Sequence, residues 1–482
     1  MIFNSLTFAL FLPIVFVLYW FVFNKNLKVQ NLLLVVASYV FYGWWDWRFL
    51  SLIFISSISD YTIGYFLAKQ KGKLGRKLLL WLSLAINLGF LGFFKYYNFF
   101  SESLIEAFRY VGIHLHESSL NIILPVGISF YTFQTLSYTI DIYRKKIEPT
   151  TQIISFFAFV SFFPQLVAGP IERASKLLPQ FQNARVFNVV KAKDGLRQIL
   201  AGLIKKVVIA DTLAIQVDLI FGGDLAATPG LVLIFGAILF VFQIYGDFSG
   251  YTDIAIGTAR LFGFDLMRNF AYPFFSRNIN EFWQRWHISL STWFRDYVFI
   301  PLGGSYCSKS KQVRNIIITF TISGFWHGAN WTFVIWGFLN GLYYLPLLLS
   351  SKKRKYTNIV AYDRKLPSLK ETLQILITFA LFTFSMVFFR SASLSEAFSY
   401  LKLSVLNIGV RPELIFNWVL SPSFVFVILL IIVEWVQRRK QYFLQIENLP
   451  FFMRWTVYLL AIASLVYLGQ FSSSQQFIYF QF

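Results

Sequence analysis

Charge is scarce in this 482-residue chain, where Asp, Glu, Lys and Arg together make up only 14% of the residues. An ordinary soluble domain carries about 25%, so the chain lacks the polar surface that would keep it in water. Cysteine is scarcer still. Cys307 stands alone and cannot pair within the chain, which excludes a disulfide scaffold. Histidine occurs only four times, as His114, His116, His287 and His327. Several familiar chemistries have no trace: there is no Gly-x-x-x-x-Gly-Lys-Ser/Thr phosphate loop, no His-Glu-x-x-His and no Gly-x-Ser-x-Gly elbow. Without a phosphate loop, an ATP-driven pump is disfavoured. Heptad seams, solenoid repeats, low-complexity tracts and a soluble domain of useful size are missing as well.

What fills the chain instead is apolar. Hydrophobic residues make up 57% and aromatic residues 20%, and the mean hydropathy is +0.59. Such a composition excludes disorder and collagen-like structure, and it predicts an all-α polytopic membrane protein. The net charge is +20, from 43 basic and 23 acidic residues. The positive charges fall in short loops between apolar runs, which is the pattern that orients membrane helices and not that of a nucleic-acid binder. Attraction to anionic membrane lipid follows as a secondary consequence.

Residues 1–24 carry no charge, no basic start and no small-residue cleavage site, so they read as a retained first span and not as a secretory signal. About 20 apolar residues cross the hydrocarbon core. Further spans are expected near 30–44, 49–68, 78–96, 122–142, 200–221, 229–246, 371–390, 422–436 and 455–471. With the paired spans described below, the expectation is about eleven or twelve crossings in one integral membrane domain, its core near 122–350. The basic loops are Lys69–Lys77, Arg144–Lys146, Arg173–Lys206, Lys352–Lys355 and Arg438–Lys440. Placing all of them in the cytoplasm puts both termini outside, with an even number of crossings.

Residues 153–170 then have basic stretches on both sides, and Pro164, Gly169 and Pro170 interrupt them. This stretch is expected to be re-entrant, and irregular backbone at membrane depth survives only where protein or a wet cavity surrounds it. Residues 247–314 are too charged to span and too aromatic for a loose loop. Residues 315–351 form a 37-residue run without formal charge, too long for one ordinary helix, and read as two spans meeting at a break. That break carries Gly324-Phe-Trp-His-Gly-Ala-Asn-Trp331.

His327 therefore sits in the middle of an uncharged run. Polar groups at membrane depth are costly and face a protein interior or cavity. Burial disfavours the imidazolium, and a neutral imidazole can accept a hydroxyl proton as a general base must; a histidine that merely bonds two helices together is the alternative. His287 lies in 278–296, which reads as one amphipathic helix capped by Asn278 or Asn280, with Trp283, Trp286, Leu290 and Trp293 as its apolar face. Asp247 and Asp253 follow a span, with Gly246 and Gly250 beside them. They are candidates to line a substrate path or, equally, a span end meeting water. Asp60 lies within a span and is expected to partner a buried cation or hydroxyl. The pair His114 and His116 has metal-ligand spacing but no second cluster, and no metal site is expected.

Six ordered segments together resemble the membrane-bound O-acyltransferase family, in the branch that acetylates alginate, with teichoic-acid D-alanine transfer as a cousin. They are Phe41-Tyr-Gly-Trp-Trp-Asp46, Leu124-Pro-Val-Gly-Ile-Ser-Phe-Tyr-Thr-Phe-Gln134, Phe163-Pro-Gln-Leu-Val-Ala-Gly-Pro170, Tyr245-Gly-Asp-Phe-Ser-Gly-Tyr-Thr-Asp253, the run from Asn280 to Trp293, and Gly324 to Trp331. The final third matches mainly by hydropathy. The resemblance implies that His327 is the catalytic histidine and His287 its partner, both facing a tunnel through the membrane. It implies no bound cofactor. Acetyl-CoA would be the donor, although a carrier-protein thioester remains an alternative. The acetyl group would pass to an exported acetyltransferase partner and then to a polysaccharide.

The residues fit such a reaction. His287, Asn330 or a backbone amide at Gly324 or Gly328 could hold the oxyanion. Arg285 and Arg295 could meet donor phosphates, with Asp247 and Trp326 lining the path. A polysaccharide or lipid-linked sugar transporter is the alternative function, and a non-catalytic scaffold a third.

Overall fold

The structure, a computed structural model, describes residues 1–115, 120, 122–350, 356, 358–409, 422–471 and 477–478. Every regular element among the described residues is helical. Six helical stretches among the described residues are long and apolar enough to cross a bilayer: Leu27–Lys69, Lys73–Tyr110, Gly230–Leu261, Trp331–Leu349, Leu369–Arg390 and Phe451–Leu468. The chain is thus a multi-pass membrane protein, with fewer clear spans than the eleven or twelve expected. Part of the difference is hidden polarity, because the helices at 128–143 and 204–221 bury polar and charged side chains in protein. The rest is length and merging, since Leu6–Val22 and Phe424–Val436 are shorter apolar helices and the 43-residue stretch Leu27–Lys69 holds two helices of 20 residues each.

The backbone packs as two compact units. One comprises residues up to Gly195 with Thr258–Met267, and the other the remaining described residues. The first unit holds α1 (Leu6–Val17), α2 (Leu27–Asp46), α3 (Leu50–Lys69), α4 (Lys73–Leu91), α5 (Tyr97–Tyr110), α6 (Ile128–Tyr143), α7 (Ile153–Ser161), α8 (Phe163–Leu166) and α9 (Ala174–Gln182), and α10 (Val189–Leu203) begins in it. Local chemistry sets the helix starts. The Ser5 hydroxyl accepts from the Phe8 amide, and the Asn26 side chain accepts from the Lys28 and Val29 amides, satisfying donors that a first helical turn leaves without partners. Gly127 opens α6 at φ +74°, and a Cβ there would stand 2.8 Å from the Leu166 carbonyl oxygen, so only glycine fits.

With nine residues, α7 rises about 14 Å, less than half of the hydrocarbon core. The helix breaks at Phe162, and α8 follows with Pro164 in its first turn. Residues 155–171 are buried throughout, and the Phe163 amide donates to Ser38 Oγ at 3.1 Å. The expected re-entrant segment is therefore a short, interrupted helix enclosed by protein. Asp60 accepts from Ser83, Asn87 and Thr139, so its partners are hydroxyls and an amide and not a cation.

The second unit continues from α10 through a π-helical stretch, Ile204–Ala210, into α11 (Asp211–Phe221). It then holds α12 (Gly230–Leu261), α13 (Ile279–Trp283), α14 (Ile288–Phe294), α15 (Lys309–His327), α16 (Trp331–Leu349), α17 (Leu369–Arg390), α18 (Leu394–Leu406), α19 (Pro422–Val436) and α20 (Phe451–Leu468). The uncharged run divides as expected, with α15 and α16 packed along each other and residues 328–330 as the break. Gly324 and Gly337 let the two backbones meet. A Cβ on Gly324 would press into the Phe333 carbonyl oxygen and lie 2.9 Å from the Gly337 Cα.

Over-packing at such a site costs about 1–3 kcal/mol. Gly324→Ala is accordingly expected to pry the hairpin open, lowering the melting temperature in detergent and acyl transfer by at least about tenfold. Wild-type melting and activity in that variant would show that the close approach is dispensable.

Candidate active site

His327 ends α15, and its ring is buried among Trp326, Trp336 and Phe389 at centroid distances of 4.9, 5.2 and 5.4 Å. The second histidine reaches it from a different element. The expected single helix over 278–296 is instead broken into α13 and α14, because His287 adopts φ 44° and ψ 54°. A non-glycine residue in this left-handed region is strained and points to a site that fixes it. Asn278 does cap α13, accepting from the Glu281 amide at 2.9 Å. Trp286 and Trp293 are buried in protein, so the helix is not an interface anchor. The break turns His287 inward and sets its ring 6.4 Å from that of His327.

Asn269 fixes the His287 ring. Its Oδ1 accepts from the Ser289 amide and hydroxyl at 3.1 and 2.9 Å and lies 3.3 Å from His287 Nδ1. An amide oxygen can only accept, so Nδ1 carries the proton and Nε2 is the ring's acceptor nitrogen. Burial pushes this imidazole down to about 3, which keeps it neutral. Phe248 packs edge-on against it at 4.6 Å.

A cavity of about 1160 Å³ reaches Ile288, next in sequence to His287, although neither histidine is among its lining residues. On α15, Ile316, Thr319, Phe320 and Ser323 line it, one face of a helix that leads to His327 one turn further on. Trp283, Ile288 and Leu290 supply apolar wall, while Arg277, Arg295, Gln312, Lys370 and Gln374 supply cationic and polar groups. The volume suits a large, extended ligand.

Several expected site residues are placed elsewhere. Arg285 does not line the cavity; its guanidinium donates to Glu281 Oε1 at 2.9 Å and to the Ala271 carbonyl at 3.3 Å. Asn330 is spent on structure: its Oδ1 caps α16 through the Thr332 amide, and its amide donates to the Ala392 carbonyl. Gly324 serves helix packing. Arg295 does line the cavity, with Asp296 Oδ1 2.8 Å from its Nε. Trp326 is buried 6.4 Å from His287. His114 is exposed, and His116 lies outside the described residues.

Asp247 is likewise absent from the cavity wall, and it belongs to a buried charge cluster that sequence reasoning missed. Lys206 Nζ lies 2.8 Å from Asp211 Oδ1 and 2.8 Å from Asp247 Oδ1, while the Ile478 amide donates to Asp247 Oδ2. Lys205 Nζ lies 3.2 Å from Asp253 and 3.3 Å from Glu434, whose other partners are Gln198 and Tyr245 respectively. Lys205 and Lys206 therefore do not belong to a basic loop, contrary to the expectation that used them to set orientation. The signal was present, since two lysines interrupt the apolar run Ile199–Ile209 while acidic residues six apart follow at 247 and 253.

The chain matches the model of the MBOAT, membrane-bound O-acyltransferase, family over residues 39–365. It is 41% identical to the probable alginate O-acetylase AlgI of Pseudomonas aeruginosa, over 82% of this chain and 73% of that protein. It is 34% identical to the peptidoglycan O-acetyltransferase of Helicobacter pylori, over 100% of this chain and 98% of that one. With the teichoic acid D-alanyltransferase of Bacillus subtilis it shares 30% identity, over 57% of this chain and 70% of that one.

Proposed function

This chain belongs to the membrane-bound O-acyltransferase family, and from that premise we propose that it moves an acetyl group from cytoplasmic acetyl-CoA across the inner membrane for ester formation on an exported polysaccharide. The observation that carries this reading is the buried His327–His287 pair, 6.4 Å apart, at the end of the helix face that lines a cation-bearing cavity. His327 takes the proton of an acceptor hydroxyl presented from the outer side by an exported acetyltransferase partner. The hydroxyl oxygen then attacks the thioester carbonyl. Collapse of the tetrahedral intermediate expels the thiolate, which takes the proton back from His327. His287, neutral and held by Asn269, completes the pocket as an acceptor.

Orientation follows from charge. With the basic loops in the cytoplasm, α15 starts there at Lys309–Arg314 and the cavity opens on that side, where a charged coenzyme can reach it without crossing hydrocarbon. The termini then lie outside. Arg295 and Lys370 meet the donor's phosphates, and replacing both with glutamine is expected to raise the donor KM about tenfold and leave kcat unchanged, because charge-assisted bonds of this kind contribute about 1.5–3 kcal/mol each before solvent screening. Initial rates against acetyl-CoA concentration measure this; an unchanged KM would move the phosphates elsewhere.

The relatives' names support an alginate-like acceptor, and the end-to-end match to the peptidoglycan enzyme supports a second reading in which the cell wall is acetylated. Base-labile acetate, measured on the exported polysaccharide and on peptidoglycan of a deletion strain with and without the restored gene, tests both. Acetate returning to one fraction identifies the acceptor. No acetate in either would overturn the acetyl reading and bring the sugar-transporter alternative forward.

A further inference from the structure

Acyl transfer through His327 needs a hydrogen-bond donor at the thioester carbonyl, and the two side chains that sequence reasoning offered are committed elsewhere. Asn330 is a helix cap, and His287 presents an acceptor nitrogen at Nε2. Two other donors stand at the site. Trp336 and Trp283 each bury an indole N–H that has no acceptor among the described residues. A buried donor without an acceptor is unfavourable and uncommon in a folded protein, and it calls for a ligand atom to complete it.

Their placement fits that requirement. Trp336, only 2% exposed, packs edge-on against His327 at 5.2 Å and 87°. Trp283 lines the cavity and packs against Trp336 at 5.9 Å. The two indoles thus connect the cavity wall to the proposed base. We infer that the Trp336 N–H donates a hydrogen bond to the acyl carbonyl oxygen and stabilises its negative charge as the hydroxyl adds, with the Trp283 N–H holding the same oxygen as the thioester arrives. This inference rests on the role proposed for His327. No bond to the indole forms or breaks: the carbonyl π electrons move onto oxygen during attack and return as the thiolate leaves. Phe389, 5.2 Å from Trp336, and Trp283 hold the indole in place, and a buried donor fixed in advance gains most at the transition state.

The test compares membranes from cells expressing wild type, Trp336→Phe, Trp283→Phe, and a variant with benzothienylalanine at 336, which keeps the bicyclic shape but replaces N–H by sulfur. The reading is transfer of radiolabelled acetate from acetyl-CoA to polymer, normalised to the amount of protein in the membrane. Both Trp336 variants are expected to lose about 10²–10³-fold in kcat with KM for acetyl-CoA within about threefold of wild type, and Trp283→Phe to lose about tenfold. If benzothienylalanine restores the wild-type rate while phenylalanine does not, Trp336 only packs and the inference falls. A kcat within about threefold of wild type in both variants also overturns it. If His327→Ala is inactive in that same case, the proposed reaction stands without this donor. Wild-type membranes that transfer no acetate would overturn both.

Discussion

His327→Ala is expected to lower acetyl transfer by about 10³ to 10⁴-fold while the protein still reaches the membrane in normal amount. Positioned general-base catalysis contributes about 10² to 10⁴-fold, and the upper part of that range applies because water has little access to this ring, which is 6% exposed and boxed by Trp326, Trp336 and Phe389. Loss of the imidazole also leaves a void in an aromatic box, which destabilises by itself. His327→Gln separates the two effects, because it fills most of the volume and keeps hydrogen-bonding capacity without acting as a base near neutral pH. Both variants are expected to be equally inactive, and His327→Gln to melt within a few degrees of wild type. Ester-linked acetate per unit of membrane protein is the measurement. Retention of more than about a tenth of the wild-type rate in either variant would make His327 a structural residue and return the function to a transporter or scaffold.

That His327 could be singled out from sequence has a physical reason. It is the only histidine inside an uncharged run long enough for two spans, and a break between two buried helices is where a polar side chain can be held at membrane depth. The tryptophan-rich segment around His287 was legible for the same reason of composition. Its geometry was not: Trp283, Trp286, Leu290 and Trp293 have helical spacing, and nothing in that periodicity announces the left-handed residue that splits the helix and turns His287 inward. Tertiary contacts supply that strain, chiefly Asn269 bonding to both His287 and Ser289. The same limit misplaced Arg285 and Asn330. Residue type gave their chemistry correctly, but a guanidinium four residues from Glu281 and an asparagine at a helix start are consumed by local structure. Trp283 read as part of an apolar helix face and Trp336 drew no reading at all, because an unpaired N–H is visible only once every neighbour is in place.

Lys206→Met is the change with the largest expected effect on stability. Lys206 sits in the π-helical stretch of the second unit between Asp211 and Asp247, all three almost inaccessible to solvent. Methionine matches the lysine stem in length and suits an apolar setting, so packing is nearly preserved. What changes is that two carboxylates lose their shared cation. Breaking a buried pair from one side costs about 3–5 kcal/mol, because the remaining charge is left desolvated and unpaired. The neighbouring Lys205 cannot compensate, since Asp253 and Glu434 already hold it at 3.2 and 3.3 Å. The expected result is a fall in apparent melting temperature on the order of 5–10 °C. Acyl transfer is expected to fall with it, because Phe248, next in sequence to Asp247, packs against His287. Adding Asp211→Asn removes one stranded charge and is expected to recover part of the loss, about 1 kcal/mol or more. Thermal unfolding of the single and double variants in the same detergent decides this. If Lys206→Met melts within 1–2 °C of wild type (about 1 kcal/mol or less), the cluster does not hold the fold. If instead the double variant melts higher than the single one, the lysine is there to balance charge between two buried carboxylates.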